Sequence, residues 1–221
     1  MELSIFEVLG PVMIGPSSSH TAGAARLARV AALIAGKPFA KLRFTLSGSF
    51  AKTGQGHGTY KALLAGALGF SEDDERIREI NQIAAARGVT AEYCEEELEG
   101  MHENSVRISF FHTDGSTSEI WGSSIGGGRI IIRRVGELEI EINAESPTIV
   151  VPHLDRPGVV SMVSRILAES NINIAVLRLS RQEKGKNATM VIEVDGRVPA
   201  DVLESLRQLN HVQGVILIDV S

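Results

Sequence analysis

The spacing of hydrophobic and polar residues divides the first half of the chain into helices and strands. Small and apolar residues recur at helical spacing over residues 21–34, which predicts a helix that Gly36 ends. Polar and apolar residues alternate over residues 41–46, which predicts a half-buried strand. Further helices are predicted over residues 60–68 and 71–87, the latter with Ser71 as its N-cap.

Short alternating segments follow Gly88 and predict a sheet. Residues 105–112 and 116–121 flank Thr113-Asp114-Gly115, a sequence typical of a hairpin turn. Residues 129–132 and 138–142 read as two further strands. Residues 1–147 are therefore interpreted as a mixed α/β domain with a largely antiparallel sheet.

The pattern restarts after Ser146-Pro147, which we interpret as a domain boundary. Strands are predicted over residues 148–151, 174–179, 188–194 and 215–220, and helices over 157–170 and 199–209. The order β-α-β-β-α-β is the ferredoxin-like plan. The predicted fold class is thus α/β of the α+β type, with a second domain over residues 148–221.

Composition and charge narrow the function classes. The chain has 221 residues, 43% of them hydrophobic, and its apolar runs are too short to span a bilayer, so we expect a cytoplasmic protein without membrane association. The net charge is −5, which argues against nucleic acid as a partner. Residues 148–221 carry eight basic and eight acidic side chains, so the excess negative charge lies on the first domain.

Cys94 is the one cysteine of the chain, and it precedes three glutamates. A single thiol excludes an internal disulfide and a thiolate cluster held by this chain alone. The neighbouring carboxylates disfavour a thiolate, so Cys94 is not predicted to be a nucleophile. His102 and His112 lack metal-ligand spacing, and no metal site is predicted.

The first candidate site is Gly15-Pro16-Ser17-Ser18-Ser19-His20-Thr21, where a rigid turn leads into a helix. A helix N-terminus offers free N–H groups and a positive dipole end, so Ser17, Ser18, Ser19 and Thr21 could help to hold a carboxylate or phosphate. The alternative is a helix start with more capping residues than it needs.

Two further loops are small and polar. One is Ser47-Gly48-Ser49, and the other is Thr53-Gly54-Gln55-Gly56-His57-Gly58-Thr59. The glycines free the backbone to approach a ligand and leave His57 exposed, which favours acid–base or binding work over a merely structural turn. If the fold brings the three loops together, they form a pocket for a small anion. The candidate binding residues here are Ser47, Gly48, Ser49, Gly56, Gly58 and Thr59.

The C-terminal module resembles an ACT domain. The resemblance rests on Leu154-Asp155-Arg156-Pro157-Gly158 before the first helix and Ser170-Asn171-Ile172-Asn173-Ile174 after it. ACT domains commonly bind amino acids between paired copies. The resemblance implies self-association and a regulatory ligand near Asp155, Gly158, Asn171, Ile172 and Asn173. A structural dimeriser without a ligand is the alternative.

The first domain resembles the beta chain of bacterial iron–sulfur-dependent L-serine dehydratases. Ser4-Ile5-Phe6, the serine–histidine turn, Gly48-Ser49-Phe50 and Gly56-His57-Gly58-Thr59 carry the resemblance. It implies deamination of L-serine to pyruvate and ammonia with a [4Fe-4S] cluster ligated by a partner alpha chain. The beta part completes the substrate site, with His20 and His57 as catalytic candidates. Which histidine is the base stays open.

A second hypothesis is a non-enzymatic sensor that binds an anion and an amino acid. The first domain is also similar to the anion-binding regulatory domain of some phosphoglycerate dehydrogenases, which supports this reading. A self-sufficient hydrolase is a weaker third hypothesis, since the chain has no nucleophile-elbow motif. A neighbouring reading frame that encodes a cysteine-rich alpha-type chain would favour the enzyme.

Overall fold

The structure is a computed structural model that describes residues 13–220. The Ser4-Ile5-Phe6 segment therefore lies outside the described residues. The chain divides into two compact units, residues 1–136 and 137–221. The sequence places a boundary at residue 147 instead, and the two divisions differ only in the assignment of residues 137–147.

Within the described residues, the first unit has a helix, a strand and three further helices in succession, and four strands follow. Its helices are α1 (Ala24–Ala35), α2 (Gly48–Thr53), α3 (Thr59–Ala67) and α4 (Ile80–Ala86), with a π-helical turn at Ser18–Gly23 and a 3₁₀ turn at Glu75–Glu79. Its strands are β1 (Phe39–Ser47), β2 (Thr90–Glu95), β3 (Asn104–His112), β4 (Thr117–Gly126) and β5 (Arg129–Val135).

The strands of this unit pair in the order β2-β1-β3-β4-β5. Only β1 and β2 pair in parallel among them, so the prediction of a largely antiparallel sheet is confirmed. The predicted hairpin between β3 and β4 is present, with Ile108 opposite Ile120. The alternation along β1 buries Leu42, Phe44 and Leu46. Strand β2 lies in the region after Gly88 where short strands were predicted, but no strand was predicted specifically over residues 90–95.

Helices α1 and α3 pack closely because small residues face each other. A Cβ atom on Gly66 of α3 would lie 1.9 Å from the carbonyl oxygen of Ala25 in α1. The two helix backbones therefore touch at this point, and Ala25 is fully buried there. This contact fixes α1, and with it the turn that precedes α1.

Gly66→Ala is expected to lower the free energy of unfolding by about 3 kcal/mol, because the added methyl group meets backbone atoms that cannot move aside. Gly214→Ala is the matched control, since a Cβ at Gly214 would meet no atom within 4 Å. Denaturant-induced unfolding of the two full-length variants measures the difference. Equal stabilities would contradict the close approach of the two helices.

Two predicted local features of the first unit are wrong. The helix over residues 71–87 begins later, because Asp74 is the N-cap and accepts a hydrogen bond from the Arg76 N–H at 3.0 Å. The Ser71 hydroxyl instead donates to the Asp73 carboxylate. The Arg76 side chain lowers the pKa of Asp74 to about 2. In addition, the segment from Gly48 that was predicted as a loop forms helix α2.

The second unit contains the predicted ferredoxin-like module. The elements of the whole unit are β6 (Leu138–Ile142), β7 (Thr148–Leu154), α5 (Val159–Glu169), β8 (Ile174–Arg181), β9 (Asn187–Val194), α6 (Ala200–Arg207) and β10 (Ile216–Ile218). From β7 onward the order is β-α-β-β-α-β, and the sheet order is β10-β7-β9-β8 with antiparallel neighbours. The predicted fold class is confirmed.

The core of the second unit lies between its sheet and its two helices. Strand β7 contributes Ile149 and Val151, and α5 contributes Val159, Val163 and Leu167, all fully buried. Among residues 13–220, no helix has the length and apolar character that crossing a membrane requires.

Candidate functional site

The serine–histidine segment forms a tight π-helical turn that continues into α1. Ser17 is its N-cap, and the Ser17 hydroxyl accepts a hydrogen bond from the backbone N–H of His20 at 3.2 Å. The N–H of Thr21 donates to the Ser17 carbonyl at 2.8 Å. Ser18 and Ser19 stand in the first positions of the turn and are partly buried. Single π-helical turns of this kind often occur at functional sites.

Helix α2 brings two hydroxyl groups to the ring of His20. The His20 Nε2 atom lies 3.2 Å from the Ser49 Oγ and 3.0 Å from the Thr53 Oγ1. The Thr53 hydroxyl also lies 2.9 Å from the backbone carbonyl of Ser49, to which it donates. The ring of Phe50 packs edge-on against His20, with 5.2 Å between ring centroids. His20 thus has polar groups at its edge and an aromatic wall beside it.

The glycine-rich turn places His57 next to His20. The two imidazole rings are 5.1 Å apart and nearly perpendicular. The backbone of the turn is fixed from both sides, because the Thr21 hydroxyl donates to the His57 carbonyl and the His57 N–H donates to the Thr53 carbonyl, each at 3.2 Å. The His57 side chain itself is exposed.

These contacts join residues from all three predicted loops, so Ser17, His20, Thr21, Ser49 and His57 lie together. Thr53 joins them as a residue that sequence reasoning did not select. A threonine one helical turn after Ser49 would have been the signal, but it can only be recognised once residues 48–53 are known to be helical.

Other candidate residues have structural partners instead. The Ser47 hydroxyl is buried and accepts a hydrogen bond from the Leu98 N–H at 3.0 Å. Gly48 has a φ of +59°, and a Cβ there would lie 2.4 Å from the Glu103 carbonyl oxygen. That carbonyl accepts the N–H of Ser49 at 2.6 Å. The N–H groups of Ser49 and Phe50 at the start of α2 are therefore already used.

The candidate residues at the end of the glycine-rich turn differ in their exposure and in their hydrogen bonds. Gly56 is exposed, and Gly58 adopts a φ of +74° as the N-cap of α3. Thr59 is fully buried, and its N–H donates to the Gly54 carbonyl at 2.9 Å. Its hydroxyl has no hydrogen-bond partner within residues 13–220.

Burial controls the protonation of His20. Only 9% of the residue is exposed, and loss of solvent is the main reason why its pKa is lowered below 6.5. The Ser49 contact and the Glu103 carboxylate oppose this lowering of the pKa, whereas the nearby His57 adds to it. His20 is therefore neutral at neutral pH and can accept a proton.

The lowered pKa of His20 predicts a pH-dependent stability. Between the lowered pKa and 6.5 the unfolded chain binds the proton and the folded chain does not, so the free energy of unfolding falls as the pH drops through this interval. We expect His20→Gln to remove this part of the pH dependence, measured by denaturant titrations between about pH 5 and 7. An unchanged slope would show that burial of His20 does not control it.

The predicted regulatory residues of the second unit lie at the two ends of α5. Asp155 accepts hydrogen bonds from the Gly185 N–H at 3.0 Å and from Arg181 at 3.2 Å, and these contacts lower its pKa. The Asn173 amide donates to Asp195 at 2.7 Å. Both side chains therefore hold neighbouring turns in place.

The remaining three regulatory candidates differ in exposure. Gly158 is exposed, with a φ of +90° as the N-cap of α5. Asn171 is exposed at a φ of +55°, whereas Ile172 packs in the core of the unit. A role of these residues in ligand binding stays a prediction.

Fold and site together define a two-part chain: an α/β unit with a histidine–hydroxyl centre, followed by an ACT-like module. The family model described as serine dehydratase beta chain matches residues 4–93. A second model, described as an AHAS small subunit-like ACT domain, matches residues 149–217.

Relatives that match most of the chain identify its family. The chain is 40% identical over 209 residues to the probable L-serine dehydratase beta chain of Bacillus subtilis, covering 95% of this chain and 94% of that protein. It is also 40% identical to the L-serine dehydratase beta chain of Peptoniphilus asaccharolyticus, covering 88% of each. The chain belongs to the family of L-serine dehydratase beta chains. A weaker likeness, 26% identity over 142 residues, links it to D-3-phosphoglycerate dehydrogenase of Mycobacterium tuberculosis, covering 63% of this chain and 26% of that protein.

Proposed function

We propose that this chain is the beta subunit of a cytoplasmic enzyme that deaminates L-serine to pyruvate and ammonia together with an iron–sulfur alpha subunit. The observation that carries the proposal is the buried His20, which is neutral and has hydroxyl groups at both edges of its ring. The names and near-complete coverage of the two bacterial beta chains support the substrate.

The cluster is assigned to the alpha subunit because this chain cannot hold it. A [4Fe-4S] cluster is held by several cysteine thiolates, whereas Cys94 is the one cysteine and lies exposed on β2. Within residues 13–220, no three histidine, cysteine or acidic side chains form a group that could hold a metal ion. When bound to the alpha subunit, the cluster would supply a Lewis acid for the substrate hydroxyl.

The residues of this chain would bind the substrate and move its proton. Ser18 and Ser19 stand at the positive end of the π-helical turn and α1, where a carboxylate is stabilised. The imidazoles of His20 and His57, 5.1 Å apart, are the groups that could take the α-proton. The alternative of a non-enzymatic sensor is not favoured, since the relatives matched over nearly their full length are dehydratase beta chains.

The test is anaerobic co-purification of this chain with the alpha-type chain of the same genome. The expected result is a complex that forms equal amounts of pyruvate and ammonia from L-serine. D-Serine is the control, because its α-proton points away from a base that is positioned for the α-proton of L-serine. A stable, cluster-loaded complex that leaves L-serine unchanged would refute the proposal.

The ACT-like module is proposed to mediate self-association. Strand β8 is an edge strand, and its Leu177 and Leu179 side chains are 37% and 47% exposed. Such an edge with apolar side chains favours pairing with a second copy. We expect L177K/L179K to weaken self-association about tenfold or more in sedimentation experiments. Leu33→Lys, at a site 38% exposed on α1, is the matched control, and an equal effect of both would exclude β8 as the pairing surface.

A further inference from the structure

We propose that Thr21 is a positioning residue that sets the place of the His57 imidazole and does not itself bind the substrate. Its hydroxyl ties the glycine-rich turn to the serine–histidine turn. The placement of His57 concerns this chain alone. The consequence for catalysis rests on the proposed function, because it concerns the turnover of L-serine.

The Thr21 side chain is enclosed by the fold. Only 1% of the residue is exposed. A Cβ atom on Gly15 would overlap with the Thr21 side chain, so the backbone at Gly15 lies directly against it. A threonine hydroxyl has one hydrogen, and Thr21 donates it to the His57 carbonyl at 3.2 Å. A substrate carboxylate would need this hydrogen and an open approach to it, and Thr21 offers neither.

The imidazole of His57 is not held by hydrogen bonds of its own. The side chain is exposed, and its ring contacts that of His20 with 5.1 Å between the centroids. Within residues 13–220, the His57 ring nitrogens neither donate nor accept a hydrogen bond. The backbone therefore determines where this side chain lies.

The backbone of the glycine-rich turn needs contacts that hold it, because its glycines remove the steric restraints that side chains impose. The His57 N–H donates to the Thr53 carbonyl at 3.2 Å, which closes the turn on itself. The Thr53 hydroxyl contacts His20, but it does so at the start of the turn. Thr21 holds His57 itself, so this hydrogen bond fixes His57 relative to the serine–histidine turn.

The place of Thr21 in the chain explains how one hydrogen bond can align two histidines. Thr21 directly follows His20 in the π-helical turn, where its N–H donates to the Ser17 carbonyl at 2.8 Å. The residue that holds His57 is thus fixed in the same turn as His20. Without the hydroxyl, the partly buried His57 carbonyl would lose its donor, and an unpaired buried carbonyl favours a shift of the backbone.

The first experiment measures the placement of His57 in the full-length chain without its partner. Wild type is expected to show a nuclear Overhauser effect between the ring protons of His20 and His57, since the two rings are in contact. Thr21→Val keeps the shape of the side chain without the hydroxyl and is expected to lose most of this signal, whereas Thr21→Ser should retain it. No signal in wild type, or an equal signal in Thr21→Val, would overturn the placement.

Kinetics of the two-chain complex test the consequence for catalysis. Thr21→Val is expected to lower kcat about tenfold or more with little change in KM, because a displacement of about 1 Å can cost about 10²-fold. Thr21→Ser should restore most of kcat. Loss of a substrate ligand would raise KM instead, and a raised KM with wild-type kcat would overturn the proposal.

Thr148→Val is the matched control for these measurements. The Thr148 hydroxyl is also buried and donates to a backbone carbonyl, that of Ser146, at 2.9 Å. Thr148 lies in β7 of the second unit, so its replacement is expected to leave kcat unchanged. An equal loss of kcat in Thr148→Val and Thr21→Val would show that loss of a buried hydroxyl acts through stability alone.

A double-variant cycle shows whether Thr21 acts through His57. If it does, Thr21→Val has little further effect on kcat once His57 is replaced by glutamine. Equal losses of kcat with and without His57 would overturn the role of Thr21. If Thr21→Val does not fold, Thr21→Ser and Thr21→Ala, which differ in the hydroxyl alone, take its place in both experiments. The expected ring-to-ring signals, together with a complex that leaves L-serine unchanged, would refute the proposed function alone.

Discussion

His20→Gln is expected to lower the kcat of the complex with the alpha subunit by about 10²-fold or more, the usual scale for a positioned acid–base group. Glutamine can occupy the same space and keep a contact with Ser49 or Thr53, but it cannot accept a proton at neutral pH. Pyruvate formation from L-serine measures the loss.

His57→Gln is the parallel variant, and it is also expected to lose about 10²-fold or more if His57 takes part in proton transfer. His57 is exposed and lacks the hydroxyl contacts that hold the His20 ring, so we expect the larger effect at His20. The larger loss of kcat identifies the base. Near-normal kcat in either variant would remove that histidine from the mechanism.

The chain alone is expected to show no cluster absorption and no turnover of L-serine after anaerobic treatment with iron and sulfide. Its one thiol cannot hold a four-iron cluster, and activity should appear only when the alpha subunit is added. The expected change is from no detectable activity to full activity.

Cys94→Ser provides the control for this experiment. Cys94 is exposed on β2, and its replacement should leave both the stability and the activity of the complex unchanged. A cluster spectrum and turnover from the chain alone would contradict the assignment of the cluster to the alpha subunit. Loss of activity in Cys94→Ser would show that this thiol is a ligand or a reactant.

The sequence predicted the second unit well because its signals are local and agree. Pro157-Gly158 marks the start of α5. Apolar and polar residues alternate along β8, whose burial also alternates, whereas β9 is mostly apolar and is buried along most of its length. In the first unit, the C-terminus of α1 was predicted from Gly36, which indeed adopts a left-handed φ of +64°. At these positions the conformation that each residue prefers locally is the one that it adopts in the folded chain.

Other features depend on contacts that a linear pattern does not contain. Helix α2 contains Gly48 and two hydroxyl residues within its six residues, and its start is fixed by the distant carbonyl of Glu103. Strand β2 has mostly polar residues because it lies at an edge. It pairs with β1, which is more than 40 residues away in the sequence, so a local pattern does not contain this pairing. The contact between Thr53 and His20 follows only from α2, so the sequence could indicate two histidines but not the geometry between them.

Among the strands of residues 13–220, β2 lies at the end of its sheet, and this position has a consequence for contacts between copies of the chain. An edge strand exposes backbone groups to which another chain can add, and carboxylates at such an edge discourage this addition. Glu92 and Glu95 lie within β2, and Glu96 and Glu97 extend the acidic run past its end. Glu92 and Glu96 form ion pairs with basic residues of neighbouring strands, so the like charges that two copies would bring together edge to edge are those of Glu95 and Glu97. The acidic run therefore disfavours the pairing of two copies through β2.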